Sequence, residues 1–375
     1  MKYNQKNTLN SLFPLLVREY HYPPLYTQSL NNQRVNLLNI GPYQLTNQLI
    51  LAPMAGVTDR PFRQLCRKHG ASLAVSEMVI SDPSFWKTRK SIHRLDHTGE
   101  QGPISVQIAG GDAKMLATAA KLNQDMGAQI IDINMGCPAK KVCNKAAGSA
   151  LMKDEALVTE ILESVVNSVN IPVTLKIRTG WDKSQKNALS IAHIAEQSGI
   201  TALAIHGRTR ACGYSGSAEY QTVTDVKKKV SIPVFANGDI TSPEMAASVL
   251  KATQADGLLI GRAAQGCPWI FNDINYFLTN GKHQAPRTLE EIETIMISHL
   301  KELHQFYGEL MGHRIARKHV GWYLKSTPIH QHFRSEFNKI ESPKAQLEAI
   351  KREFELQQDK LINKGENPHD DRSTR

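Results

Sequence analysis

The strongest constraint on the fold is a series of eight short apolar runs that alternate with segments of helical character. The runs are QLILAPMAGV (48–57), SLAVSEMV (72–79), PISVQIAG (103–110), QIIDINMGC (129–137), PVTLKIRTG (172–180), ALAIHGR (202–208), PVFANGD (233–239) and GLLIGRA (257–263). Eight strands joined by crossover helices predict an α/β fold, a (β/α)8 TIM barrel. The alternative is a doubly wound open sheet, which is disfavoured because no G-x-G-x-x-G follows the first strand.

The strand pattern stops near residue 284, so we divide the chain into segments of different character. The predicted segments are an irregular N-terminal extension (1–38), the barrel (39–283), a small C-terminal helical domain (284–364) and a disordered tail (365–375). Helix breaks in the third segment are expected near Gly308, Gly312, Pro328 and Pro343, because glycine and proline interrupt helices.

Composition excludes several classes of protein. No apolar run approaches the roughly 18 to 20 residues that cross a bilayer, and Pro14, Arg18 and Glu19 interrupt the short N-terminal run that resembles a signal peptide. We therefore expect a cytoplasmic protein without membrane association. The 5 cysteines include no C-x-x-C pair, so neither a disulfide framework nor a metal site is expected. The net charge of +10 raises the question of a polyanionic partner.

Polar residues fall at the C-terminal ends of five predicted strands, which is the face where barrel enzymes carry their active sites. They are Gln107, Asn134, Lys176, His206 and Asn237. Each alone could be a hydrogen-bonded structural residue. Because unpaired buried polar groups cost several kcal/mol, five of them at matching positions predict a polar ligand at the barrel mouth.

Glycine-rich turns after strands seven and eight refine that prediction. They are Asn237-Gly238-Asp239 and Gly261-Arg262. Barrels commonly bind phosphate at this place through backbone N–H groups, and an arginine can add a charge-assisted hydrogen bond. Tight turns without a ligand are the alternative.

Five motifs in order resemble those of the tRNA-dihydrouridine synthases, and CPAKKV (137–142) with GSALM (148–152) is most similar to their bacterial B branch. The motifs are APMAGVTD (52–59), NMGCP (134–138), KIRTGW (176–181), HGRT (206–209) and NGDI (237–240). The resemblance implies a flavin barrel followed by a helical tRNA-binding domain. It also implies reduction of the C5=C6 bond of uridine in tRNA, in the D-loop, with NADPH re-reducing the FMN.

The resemblance assigns roles to individual residues. Pro53, Met54 and Ala55 are expected against the flavin, Gln107 at its ring edge, and Lys176 and His206 near the ring. Asn237, Gly238, Asp239, Gly261 and Arg262 are expected to hold the ribityl phosphate, and Asn134 and Arg178 to face the uracil.

Cys137 is predicted to be a proton donor in such a reaction. Hydride arriving at C6 of a pyrimidine must be followed by a proton at C5, and a thiol with a pKa of about 8.5 holds its proton at neutral pH. A covalent nucleophile is the alternative, although no histidine base adjoins it in the sequence. A buried structural cysteine is the other alternative.

A basic segment without acidic residues lies in the predicted helical domain. Arg314, Arg317 and Lys318 fall on one helical face together with Lys325, and we expect them to contact tRNA phosphates. A solvated charged face is the alternative. At the level of function, the alternatives are a dihydroorotate-type dehydrogenase of a free pyrimidine and a non-catalytic RNA-binding barrel. A monomer without an obligate protein partner is favoured.

Overall fold

Nine parallel strands form one sheet in the structure, a computed structural model that describes residues 38–144, 146–329 and 331–363. These strands are β3 (Leu49–Leu51), β4 (Leu73–Ala74), β5 (Val79–Ile80), β6 (Ser105–Ala109), β7 (Ile130–Met135), β8 (Val173–Arg178), β9 (Ala202–His206), β10 (Val234–Asn237) and β11 (Gly257–Ile260). They are preceded by an antiparallel hairpin that the sequence analysis did not predict, β1 (Asn39–Ile40) and β2 (Tyr43–Gln44).

The sheet closes on itself, which confirms the barrel. β3 pairs with β11 on one side and with β4 on the other. The second predicted strand is interrupted: it contributes β4, then a parallel bridge from Val75 to Ser105, and finally β5, which pairs with β6. The eight predicted runs therefore supply the eight strand positions of the barrel, and the second position is formed by two short strands, β4 and β5.

Helices surround the strands and continue to the C-terminal side. They are α1 (Arg60–Lys68), α2 (Arg89–Leu95), α3 (Ala113–Asp125), α4 (Lys140–Cys143), α5 (Glu155–Ser168), α6 (Ala188–Gln197), α7 (Gln221–Lys227), α8 (Pro243–Thr253), α9 (Ile270–Asn280), α10 (Leu289–Tyr307), α11 (Glu309–Tyr323), α12 (Gln331–Phe337) and α13 (Pro343–Asn363). Several begin at a side chain that caps a free backbone N–H, for example Asp112 at α3 and Thr288, with a capping box, at α10.

Alternation along the strands separates the core from the interior of the barrel. In β7, the fully buried Ile131, Ile133 and Met135 belong to the apolar cluster shared with the surrounding helices, whereas Asp132 and Asn134 form hydrogen bonds inside the barrel. A smaller apolar cluster fills the rest of the interior and includes Ile40 and Leu45 of the N-terminal hairpin segment. Polar side chains are thereby left at the C-terminal ends of the strands.

The C-terminal helices pack around a second apolar cluster that includes Met296, Val320 and Phe354. Breaks occur at Gly308, around Pro328 and at the start of α13, as predicted, but Gly312 lies inside α11. The predicted break there is wrong because this glycine serves close packing: a Cβ would lie 2.8 Å from the Cα of His304 in α10. Lys325 falls in a short 3-10 turn beyond α11, so it does not continue the helical face of Arg314.

The predicted division of the chain into segments stays a prediction. The boundary at 283/284 falls between the end of α9 and the start of α10, and residues 38–363 belong to one compact unit. The extension up to residue 37 and the tail lie outside the described residues. Within the described ranges, no helix is long and apolar enough to cross a bilayer.

Replacing Gly312 with Ala should destabilise the protein even though alanine favours helix by about 1 kcal/mol. The added methyl group forces α10 and α11 apart, and such overpacking costs about 1–3 kcal/mol. Gly321→Ala is the matched control in the same helix, because its Cβ would meet only the movable end of Arg334. Urea unfolding should give a lower midpoint for Gly312→Ala than for Gly321→Ala; equal midpoints would contradict this account of the helix contact.

Candidate active site

A cavity of about 1000 Å³ opens at the C-terminal ends of the barrel strands. The structure brings to it every residue that the sequence placed in the barrel site. The predicted residues that line it are Pro53, Met54, Ala55, Gln107, Asn134, Cys137, Lys176, Arg178, His206, Asn237, Gly238, Asp239, Gly261 and Arg262. Their convergence is therefore a property of the fold, whereas their individual roles stay predictions.

A chain of buried hydrogen bonds crosses the floor of the cavity. The carboxylate of Asp132 accepts from Gln107 Nε2 at 2.6 Å and from Thr174 Oγ1 at 2.7 Å. Gln107 Oε1 then accepts from Asn134 Nδ2 at 2.7 Å. Asn134 Oδ1 in turn accepts the backbone N–H of Cys137 at 2.9 Å. Because a carboxylate only accepts, it fixes which way both amides point.

Cys137 lies at the end of this series of hydrogen bonds, and its side chain is partly accessible from the cavity. Its carbonyl accepts from Ser149 Oγ at 2.8 Å, and the preceding Gly136 carbonyl accepts from Arg178 Nε at 2.8 Å. Burial raises the pKa of the Cys137 thiol. The thiol therefore keeps its proton at neutral pH, which suits a proton donor better than a nucleophile.

Lys176 lies buried at the centre of the site. Its ammonium donates to Asn237 Oδ1 at 3.1 Å, and Asn237 Nδ2 donates to the Leu259 carbonyl at 2.8 Å. Burial, followed by the nearby Arg178, lowers the pKa of Lys176 to about 8, although Asp132 acts in the opposite direction. The Lys176 ammonium is desolvated and has one hydrogen-bond partner among the described residues. An anionic ligand would stabilise its charge.

Arginines gather around Asp239, which follows Asn237 by two residues. The carboxylate of Asp239 pairs with Arg208 at 2.6 Å and with Arg262 at 3.0 Å. Its side chain therefore orients cations and does not itself offer a donor to a phosphate. Gly238 has a φ of +122°, and a Cβ there would meet His206 at 2.9 Å and Ala218 at 2.8 Å. Only glycine permits this turn.

His206 and Tyr214 complete the arginine side. Burial and the surrounding cations lower the pKa of His206 to about 2, so its imidazole is neutral at physiological pH. The exposed ring of Tyr214 lies 5.1 Å from the guanidinium of Arg262 and 5.5 Å from that of Arg178. A stack of this kind holds arginine side chains at the cavity mouth.

Comparison with known proteins agrees with this geometry. A family profile described as "Dihydrouridine synthase (Dus)" matches residues 50–359. The chain belongs to the dihydrouridine synthase family. It is 61% identical over 320 residues to tRNA-dihydrouridine synthase B of Pseudomonas aeruginosa, covering 85% of this chain and 96% of that protein. It is 57% identical over 318 residues to the protein of that name from Vibrio cholerae, covering 85% and 99%.

Solved structures with distant sequences support the fold of this dihydrouridine synthase family member. The 6-hydroxypseudooxynicotine amine oxidase of Pseudomonas geniculata matches with a TM-score of 0.51 and 15% identity, covering 72% of this chain and 53% of that chain. A 2-naphthoyl-CoA reductase matches with a TM-score of 0.50 and 12% identity, covering 64% and 51%. The resemblance stated from the motifs is confirmed by the family profile and by the curated relatives.

The three basic residues predicted for tRNA lie outside the cavity on α11, with different surroundings. Arg314 is exposed. Arg317 is half-buried and donates to the Ile340 carbonyl at 3.4 Å. Lys318 turns its ammonium toward the barrel and donates to the Gly56 carbonyl. Contact of these residues with tRNA stays a prediction.

The residues that position the other site residues were not predicted from the sequence. Asp132 was not identified as the acceptor that orients Gln107. Arg208 stands in the HGRT motif, yet its partner Asp239 lies 31 residues later, after the next strand. Tyr214 follows β9 in a loop of no distinctive pattern. Only the motif around Arg208 carried a signal.

Asp132→Ala should lower the free energy of unfolding by about 1–3 kcal/mol, because Gln107 Nε2 and the Thr174 hydroxyl both lose their buried acceptor. Asp132→Asn should cost less, since an amide oxygen can accept from Gln107 while its nitrogen donates to Thr174. Urea unfolding of both variants measures the difference. Equal losses would show that the hydrogen bonds are not the stabilising feature.

Proposed function

We propose that the chain is a tRNA-dihydrouridine synthase that reduces the C5=C6 bond of uridine in the tRNA D-loop, with FMN bound in the barrel and NADPH as reductant. The observation that carries the proposal is the convergence of a protonated thiol, Cys137, and a buried ammonium, Lys176, on one cavity. Family membership and the names of the relatives support the substrate. The protein would act in the cytoplasm, as a monomer.

The residues present fit FMN in size and in charge. The cavity of about 1000 Å³ is large enough for a flavin together with a pyrimidine. At one side, Arg262 and the backbone turn at Gly238 and Asp239 would hold the phosphate, as would Gly261. Pro53, Met54 and Ala55 would lie along the ring, Gln107 at its edge, and His206 as a neutral neighbour. When bound, FMN supplies the hydride that C6 of the uracil receives.

Cys137 would donate the proton that completes the reaction. Hydride at C6 leaves the electron pair of the former double bond at C5, and the Sγ–H proton is transferred to that carbon. The thiolate would then take a proton from solvent, which restores the thiol, and NADPH would restore the reduced cofactor. The hydrogen bond from the Cys137 N–H to Asn134 and the bonds from Ser149 fix the backbone that carries the thiol.

Lys176 would stabilise negative charge that develops in the cavity. A preformed cation in a water-poor site is more effective than the same cation in water. The Asn134 side chain donates through Nδ2 to Gln107 and accepts through Oδ1 from two backbone N–H groups. Its main role would therefore be to position Cys137, and its proposed contact with uracil would be secondary. Arg178 has three backbone carbonyls as acceptors, and its Nη2 is the nitrogen that could face the uracil.

A uridine stacked in folded tRNA must be flipped out to reach the cavity, at a cost of a few kcal/mol. Phosphate contacts elsewhere on the protein would offset this cost. Arg314, exposed on α11, and Arg317 are the proposed contacts. A dehydrogenase of a free pyrimidine would not need such a surface, and the family profile extends through these helices to residue 359.

Cys137→Ala should abolish the proton donor and leave the cofactor site intact. We expect wild-type flavin absorbance and wild-type oxidation of NADPH, but dihydrouridine formation in tRNA slower by about 10²–10⁴-fold. Cys212→Ala is the control, because that thiol lies in a loop outside the residues that line the cavity. Undiminished dihydrouridine formation by Cys137→Ala, measured by nucleoside mass spectrometry, would remove Cys137 from the mechanism.

Affinity for FMN should fall as the pH rises above about 8. In the free protein the pKa of Lys176 is about 8, and the negative phosphate of FMN, bound in the same cavity, would raise that pKa. Binding then takes up a proton at higher pH, and affinity declines by up to about tenfold per pH unit. Titration with FMN between pH 7 and 9.5 measures this effect. Lys176→Met should flatten the profile; an unchanged profile in that variant would assign the pH dependence to another group.

A further inference from the structure

A short loop joins β3 to α1 and supplies Pro53, Met54 and Ala55 to the cavity. We call residues 53–59 the cofactor loop, since in the proposed function its first residues lie against the flavin. Its turn is closed by Val57 N–H to the Met54 carbonyl at 3.0 Å, and by Met54 N–H to Thr58 Oγ1 at 3.0 Å. Ala55 and Gly56 at the apex are exposed.

The apex is held by hydrogen bonds and not by packing. Gly56 has a φ of +74°, and a Cβ there would meet no atom within 4 Å. Its N–H donates to Glu77 of the barrel at 2.5 Å, and Glu77 is paired with Arg94 at 3.3 Å. Its carbonyl accepts from the ammonium of Lys318 in α11. Ala55 and Gly56 are exposed while Val57 beside them is buried in the barrel core, so these hydrogen bonds fix the apex rather than the whole loop.

A second contact from the C-terminal helices reaches the other end of the cofactor loop. The Tyr307 hydroxyl, at the end of α10, donates to Asp59 Oδ2 at 2.9 Å. The other oxygen of Asp59 caps α1 through the Phe62 N–H at 3.1 Å. Tyr307 is itself fixed, because Arg89 donates to its carbonyl at 3.1 Å and His93 packs against its ring.

We propose that Lys318 and Tyr307 are positioning residues that hold the cofactor loop closed against FMN, so that the C-terminal helices set the affinity of the barrel for its cofactor. The inference rests on the proposed function. It gives Lys318 a task within the protein, in place of the tRNA contact predicted from its position in the basic segment.

The surroundings of Lys318 support an internal role. Burial lowers its pKa, while the nearby Asp59 and Glu77 carboxylates favour its charged form. A bond from an ammonium to a carbonyl is charge-assisted and stronger than a neutral one. Arg314, one helical turn earlier on α11, is exposed and has no partner among the described residues. Lys318 and Arg314 are spaced for one helical face, yet Lys318 contacts the cofactor loop and Arg314 lies in solvent.

Three single variants of the full chain test the inference: Lys318→Met, Tyr307→Phe and Arg314→Ala. For each, FMN affinity is measured by quenching of flavin fluorescence, and tRNA affinity is measured at several salt concentrations. Lys318→Met should weaken FMN binding about tenfold and leave the salt slope of tRNA binding unchanged. Tyr307→Phe should weaken FMN binding several-fold. Arg314→Ala should keep FMN affinity within twofold and reduce the slope by about 0.9.

Lys318→Arg distinguishes positioning from general loss of structure, since it keeps a cationic donor and should recover most of the FMN affinity. Wild-type FMN affinity in both Lys318→Met and Tyr307→Phe would overturn the inference. So would a reduced salt slope in Lys318→Met with intact FMN binding, which would make Lys318 a phosphate contact. If Lys318→Met does not fold, Tyr307→Phe, which removes one hydroxyl, decides. Failure of the wild-type chain to bind FMN would instead overturn the proposed function.

Discussion

The site depends on one buried carboxylate. Asp132 can only accept hydrogen bonds, so Gln107 must turn its amide nitrogen inward and its oxygen toward Asn134. That choice leaves the Asn134 oxygen to accept the N–H of Cys137. The side-chain amides of Gln107 and Asn134, which could otherwise flip, are thereby fixed. The hydrogen bond from Asn134 then fixes the backbone that carries the Cys137 thiol. The proton donor is positioned by a residue that does not line the cavity itself.

Opposing charge organises the rest of the cavity. Lys176, Arg178 and Arg262 line it, while Asp132 lies behind Gln107 and the carboxylate of Asp239 is occupied by Arg208 and Arg262. The balance is positive, and burial makes the charges of Lys176 and Arg178 costly. A bound anion would offset this desolvation cost. The cations that are costly in the free protein therefore suit a phosphate and a reduced flavin ring. His206 adds no charge, because burial and then the cations around it lower its pKa and keep the imidazole neutral.

Most of the fold and the membership of the barrel site could be predicted from sequence, because both follow from local rules. Alternation identified the strands, and the ends of parallel strands must meet on one face, so Gln107, Asn134, Lys176 and Asn237 had to converge. Contacts between distant segments could not be predicted. Glu77 lies in the interruption of the second strand, between β4 and β5. Its hydrogen-bond partner, Gly56, lies 21 residues earlier, so the sequence pattern does not show the contact. Gly312 reads as a helix break, yet it marks close contact between α10 and α11.

The basic segment shows where a periodic pattern stops being informative. Arg314 and Lys318 are spaced one turn apart, so sequence assigns them to one face and one partner. What separates them is how α11 lies on the barrel: its C-terminal half packs over α1, where His319 contacts Phe62, and Lys318 is thereby carried to the cofactor loop. Its long stem lets the ammonium reach the Gly56 carbonyl while Arg314 stays in solvent. Arg314, which would meet tRNA, and Lys318, which contacts the cofactor loop, thus lie on the same helix. Binding of tRNA and binding of flavin could affect each other through α11.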